Sequence, residues 1–211
     1  MSRMGGLMKE KKISVEEKKL QKRDAIVKAA IEIFAHKGFQ NTKISEIAQY
    51  AKVADGTVYL YFKNKDDLMI QAMSELLSKK LSDLKARLDS EEKAVVKLYK
   101  FFQIHVRALA GDRNVARFIT VEIRQCQEFY EKYPEFAPIS EYIDFVEGLI
   151  AEAIADGDIR KEINPRAYAM ILLGTVDFVI TRWVLGNGEM SIEKTVEDIA
   201  DIFQLKTDLL L

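Results

Sequence analysis

Residues 42–62 read TKISEIAQYAKVADGTVYLYF. A short run with Ile44, Ile47 and Ala48 at helical spacing is followed by a tight turn around Ala51, Lys52 and Val53, and then by a second short run from Ala54 to Tyr61. Two short helices joined in this way make a helix-turn-helix, whose second helix enters the major groove of duplex DNA. That second run begins with small residues, Ala54 and Gly56, which let a backbone approach DNA, and continues with Thr57, Tyr59, Leu60 and Tyr61. The hydroxyls of Thr57, Tyr59 and Tyr61 suit phosphate oxygens, whereas Val53, Val58 and Phe62 are better used to anchor the helix on Ile47 and Phe34. Thr42 is a candidate N-cap for the first helix. Asp55 either accepts from a cytosine amino group or caps the second. In Asn64-Lys65-Asp66-Asp67, an N-cap residue is followed by an acid at the third helical position, opening another helix. Lys65 then lies at a positive helix end, where its ammonium and the unpaired backbone N–H groups suit one phosphate.

Outward from this stretch, apolar residues recur at three- and four-residue steps, no Pro precedes Pro134, and no long β-type alternation occurs. The chain reads as all-α, with nine helices. The first covers roughly 21–37 and stops at Gly38; two short ones cover 42–51 and 54–61; the fourth runs from 65 to about 88 with Leu77, Leu81, Leu84 and Leu88 on one edge. Five more are expected near 91–109, 113–129, 139–155, 165–186 and 191–207. The division predicted is an N-terminal tail and three-helix DNA-binding domain over 1–67 and a helical ligand-binding and dimerisation domain over 68–211.

The chain has 211 residues, 32 Lys+Arg against 33 Asp+Glu, and one Cys. A single Cys126 excludes an internal disulfide framework and suits a reducing cytoplasm. The most apolar stretch, 167–185, is interrupted by Asp177 and Arg182 and reads as a buried helix rather than a membrane span. The near-zero net charge hides an asymmetry: residues 1–65 carry +7 and residues 66–211 carry −8. The basic end is the candidate for polyanion binding. An all-helical enzyme finds little support, because His36 and His105 are isolated and no H-E-x-x-H, Walker-type loop or G-x-S-x-G occurs. A helical scaffold binding only protein would not need the charge split.

FAHKGFQNTKISEIA followed by AKVADGTVYLYFKNKDDL resembles the DNA-binding domain of the TetR family of bacterial repressors, over about residues 25–68. Phe34, Gly38, Thr42, Ile47, Ala48, Gly56, Tyr59, Tyr61, Phe62, Lys65 and Leu68 fall on the family pattern. The resemblance implies DNA contacts from Thr42, Lys43, Ala54, Asp55, Gly56, Thr57, Tyr59, Leu60, Tyr61 and Lys65. Ala54 departs from the capping Ser often found there, and Tyr61 from His. It also implies a homodimer on a palindromic duplex operator and no catalytic role.

In such proteins the second domain senses a small molecule. LAGDRNVARFITVEIRQCQ and GTVDFVITRWVL are similar to the FadR-type branch, repressors of fatty-acid degradation released by long-chain acyl-CoA. That resemblance implies acyl-CoA as effector and no resident cofactor; a drug or a free fatty acid is the alternative. On physical grounds, Arg113, Arg117 and Arg124 on one helix would lie within about 40° around its axis, a basic strip able to hold coenzyme A phosphates against an acidic domain. Phe101, Phe102, Phe118, Phe145, Met170, Phe178 and Trp183 are candidates to line an apolar slot. Dimerisation is expected through the last two helices, where Ile192, Val196, Ile199 and Phe203 follow at steps of four, three and four.

Overall fold

A computed structural model describes residues 14–88, 92–122, 127–186 and 190–203. Among these there are ten α-helices and no strand: α1 (Val15–Lys37), α2 (Ile44–Tyr50), α3 (Asp55–Val58), α4 (Lys65–Lys85), α5 (Ala94–Ala110), α6 (Arg113–Thr120), α7 (Gln127–Lys132), α8 (Ser140–Ala155), α9 (Pro165–Leu185) and α10 (Ile192–Ile202). α1 starts earlier than the apolar pattern predicts because Ser14 and Glu17 form a capping box: the Ser14 hydroxyl accepts from Glu17 N–H at 3.1 Å, and the Glu17 carboxylate accepts from Ser14 N–H at 2.7 Å. It ends at Gly38, whose φ of 80° is the left-handed region open to glycine.

Thr42 is not the N-cap of α2; that position is Lys43, and Thr42 is buried with its hydroxyl donating to the Gly38 carbonyl at 2.8 Å. The α2–α3 turn closes through Val53 N–H on the Ala48 carbonyl at 2.9 Å, with Lys52 held at φ 57°. α3 is shorter than the expected 54–61: after Val58 the bonds tighten to the three-residue step, Leu60 N–H to Thr57 O at 3.2 Å and Tyr61 N–H to Val58 O at 3.0 Å. Ala54 is its N-cap, with no side-chain capping bond, and Asp55 is its first residue. Val58 and Phe62 are buried against the core that includes Ile47, Phe34 and Leu68, as anchoring requires. Asn64 caps α4 by accepting from Asp67 N–H at 2.8 Å.

The main apolar core draws on every helix from α1 to α10, with a small separate cluster of Ala94, Val95 and Ala153 between α5 and α8. α6 lies along α1, and α8 along α9. Within the stretch 113–129, expected as one helix, α6 ends at Thr120 and α7 begins at Gln127. At the end of α6 the buried Thr120 hydroxyl donates to the Ala116 carbonyl at 2.9 Å, and just beyond it the Glu122 carboxylate accepts from Phe39 N–H at the start of the α1–α2 turn. α9 is long and apolar enough, by length and composition alone, to cross a membrane; here it packs among α5, α6, α8 and α10. Ile192, Val196 and Ile199 of α10 are buried in the core, and Phe203 packs edge-on against Tyr168 at 5.6 Å. That apolar edge is therefore spent inside the chain. The exposed apolar edge belongs to α9, where Ile171, Phe178 and Leu185 follow at seven-residue steps.

Candidate DNA-reading face and effector cavity

At the α2–α3 end of the molecule Lys43, Ala54, Asp55, Gly56, Tyr59 and Leu60 are exposed, Tyr59 at 57% and Leu60 at 79%. Thr57 and Tyr61 are partly buried on the same unit. Leu60 and Tyr59 stand side by side as exposed apolar surface on this unit. Gly56 carries a second hint: a Cβ added there would meet nothing within 4 Å, and its φ is not positive. The protein's own packing does not demand glycine at that position. Lys52 and Lys63 are exposed basic residues on the same unit that the motif reading passed over.

Lys65 has a different place from the one its helix-end position suggests. Its ammonium donates to the carbonyls of Phe39 at 2.8 Å, Gln40 at 3.3 Å and Thr42 at 3.1 Å, and lies 4.5 Å from the centre of the Phe39 ring. An ammonium has three N–H donors. Lys65 thus braces the α1–α2 turn rather than offering itself to a phosphate.

The basic strip on α6 is likewise divided. Arg113 donates to the carbonyls of Trp183 at 3.3 Å, Val184 at 2.8 Å and Gly186 at 2.9 Å, and sits 5.3 Å over the Trp183 ring. These are the unpaired carbonyls at the negative end of α9, so Arg113 caps that helix from outside it. Arg117 Nε faces the buried Glu122 carboxylate at 3.6 Å, with the Arg117 side chain 40% exposed. α6 ends at Thr120, and Arg124 lies outside the described residues.

A cavity of about 180 Å³ opens among α4, α5, α6, α8 and α9. Its walls are Leu77 of α4; His105 and Leu109 of α5; Ile119 and Thr120 of α6; Ile139, Tyr142 and Ile143 on and beside α8; and Met170, Leu173, Gly174, Val176 and Asp177 of α9. Of the seven apolar residues proposed from sequence, Met170 alone lines it. Phe101, Phe102 and Phe118 are fully buried in the core; Phe145 packs 5.5 Å from the Phe101 ring beneath Lys85; Trp183 lies under Arg113; Phe178 faces outward at 66% exposure. The sequence carried one usable sign of the cavity residues, which is that Leu173, Gly174, Val176 and Asp177 mix small, apolar and acidic types on an otherwise apolar helix.

His105 is the titratable group of this wall on α5. Its ring stacks on Phe101 at 5.6 Å and meets the Tyr142 ring at 5.2 Å. Burial, with a smaller push from Lys80, lowers its pKa from 6.5 to about 4. A lowered base binds fewer protons folded than unfolded, so folding stability is whole above pH 6.5 and is lost as pH falls towards 4. At 1.36 kcal/mol per unit the loss is about 3 kcal/mol. His105→Gln, which does not titrate, is expected to remove most of the acid-induced fall in melting temperature across that window. Equal acid sensitivity in both proteins would refute this.

The profile described as bacterial regulatory proteins of the tetR family matches residues 26–72, and that of the YsiA-like protein C-terminal region matches residues 71–205. The fatty acid metabolism regulator protein of Bacillus subtilis (strain 168) is 34% identical over 167 residues, covering 77% of this chain and 83% of its own length. Among solved structures, FadR from Bacillus subtilis in complex with stearoyl-CoA superposes with a TM-score of 0.77 at 30% identity, covering 85% of this chain and 96% of the other. The fatty acid degradation regulator FadR from Bacillus halodurans gives 0.78 at 28% identity, over 89% and 96%.

Proposed function

The chain belongs to the TetR family of bacterial regulatory proteins and is a DNA-binding transcriptional regulator, not an enzyme; from that premise we propose that it is a cytoplasmic, dimeric repressor of fatty-acid metabolism genes, released from a palindromic operator by long-chain acyl-CoA. The observation that carries the effector is the apolar cavity inside the region matched by the YsiA-like profile, taken with the stearoyl-CoA complex of a relative of the same fold. Each acyl methylene buried there contributes about 0.8 kcal/mol. The nucleotide's phosphates would stay outside the cavity; Arg117, on the same helix as the wall residues Ile119 and Thr120, keeps a 40% exposed side chain that could meet them.

DNA reading is assigned to residues 1–67 and effector binding with dimerisation to 68–211. Lys43 and the hydroxyls of Thr57, Tyr59 and Tyr61 serve phosphates, while Ala54, Asp55, Gly56 and Leu60 meet the groove. The dimer forms on α8 and α9, because Ile171, Phe178 and Leu185 form the exposed apolar edge and the neighbouring face of α8 offers the small exposed residues Gly148, Ala151 and Ala155.

Fluorescence anisotropy on duplexes selected from a random pool tests the reading. Affinity should fall linearly with the logarithm of salt concentration, and Lys43→Ala should lower that slope by about 1 without changing sequence preference. Stearoyl-CoA at micromolar concentration should free the DNA, where coenzyme A alone should not. Release by stearic acid or another amphiphile, with none by stearoyl-CoA, would leave the repressor and replace its effector.

A further inference from the structure

Glu122 lies just past the end of α6, yet it is 3% exposed and 83 residues from its hydrogen-bond partner. Its Oε2 accepts from the backbone N–H of Phe39 at 3.2 Å. A Cβ on Gly38 would come within 3.1 Å of the same oxygen, so the carboxylate fits over this turn because residue 38 has no side chain. Phe39 is held on its other sides too. Lys65 takes its carbonyl, and its ring packs on Phe34 at 5.4 Å and Phe129 at 5.7 Å. The six residues from Gly38 to Lys43 join α1 to α2, the first helix of the DNA-reading unit.

A buried carboxylate needs compensation to stay ionised. Burial pushes the Glu122 carboxyl up, and the Phe39 N–H and Arg117 draw it back. Arg117 does so at 3.6 Å and its Nε has no hydrogen-bond partner, so the ion pair is looser than a hydrogen-bonded one. What fixes Glu122 in place is the bond to the turn. Three and two residues before it in the chain, Ile119 and Thr120 are cavity wall.

The cavity, about 180 Å³, is below the roughly 300–1,000 Å³ of pockets that enclose drug-sized ligands. An occupant with a long chain must push its walls apart. α6 is the shortest of the helices forming them, eight residues against at least sixteen in the others.

We propose that Glu122 is the positioning residue through which cavity occupancy reaches the DNA-reading unit: its carboxylate holds Phe39 N–H while the cavity is small, and movement of the α6 end with Ile119 and Thr120 withdraws it. This rests on the effector reading above and adds the residue that transmits it. The bond belongs to the compact arrangement, so its loss shifts the protein towards the expanded one. Linkage then fixes the signs: DNA affinity falls and effector affinity rises. A residue that only supports folding would weaken both.

The test uses the full chain with Glu122→Ala and Glu122→Gln, anisotropy on the selected duplex, calorimetric titration of stearoyl-CoA, and amide hydrogen exchange at Phe39. Loss of a hydrogen bond to a charged group corresponds to about tenfold or more. Glu122→Ala is expected to weaken DNA binding by that factor, to tighten stearoyl-CoA binding, and to expose the Phe39 amide. Glu122→Gln, which keeps an acceptor without the charge, should recover part of each. In the wild type, stearoyl-CoA should itself speed exchange at Phe39. Changes of both affinities in one direction, or a Phe39 amide indifferent to stearoyl-CoA that binds, would overturn the proposal. Wild type that takes up no stearoyl-CoA would remove the acyl-CoA reading instead. The DNA and exchange measurements on Glu122→Ala would then still decide whether Glu122 holds the turn, unchanged values overturning it.

Discussion

Phe178→Glu is expected to leave a monomer and to lower affinity for a two-half-site duplex by at least about a hundredfold. Phe178 is 66% exposed in the middle of the apolar edge that Ile171 and Leu185 continue. Covering a Phe side chain contributes about 1.5–3 kcal/mol, and a carboxylate forced into the same apolar contact costs further. A two-fold axis repeats the substitution, so the dimer loses at least about 3–6 kcal/mol, or roughly two to four powers of ten in its dissociation constant. A monomer engages one half-site and forfeits the second. Sedimentation equilibrium reads the assembly and anisotropy reads the DNA. A dimer that survives the substitution would move the interface off α9.

Phe118→Ala should destabilise the protein by about 3–5 kcal/mol. Phe118 is fully buried on α6, stacked on Phe34 of α1 at 6.1 Å and 12°. Phe34 in turn meets Phe39, and Phe39 meets Phe129, so the ring belongs to an aromatic chain joining the DNA-reading unit to the helices around the cavity. The void left there closes only if α1 and α6 shift against each other, and Asn114, which donates to Glu32 at 2.7 Å, helps to hold the two helices where they are. For a chain of this size each kcal/mol lowers the melting temperature by about 2–4 °C, giving a fall of about 6–20 °C by calorimetry. Phe118→Leu, closer in volume, should lose much less. A fall below 3 °C for Phe118→Ala would mean that the ring carries little of the junction.

The helix-turn-helix was legible because its signals are local: apolar steps, a turn between them, and a capping Asn64 all lie within a few residues of each other. The capping box at Ser14 was equally local, and S-x-x-E stands in the sequence, although the apolar pattern alone starts the helix later. The bonds Lys65 makes within the chain were not legible because their acceptors are 23 to 26 residues away, and a helix-end position says nothing about a turn folded back against it. The arginine strip needs one helix through 113–129, whereas α6 ends at Thr120, a break that apolar periodicity does not mark. Phe101, Phe102 and Phe118 show the matching difficulty in the core: the same spacing serves a ring that fills space and a ring that borders it. For α9 and α10, both rich in apolar residues, only the folded chain decides which edge remains uncovered.

Arg113 ties the first turn of α6 to the last carbonyls of α9, and α9 carries both cavity wall and the exposed apolar edge. In a dimer joined on that edge, a shift of α6 in one subunit is felt at the seam with the other. Filling the first cavity then alters the ease of filling the second, and the response to effector concentration becomes steeper or shallower than a simple saturation curve. In such a pair Arg113 is the link between one cavity and the seam, and its replacement would bring the response back towards simple saturation.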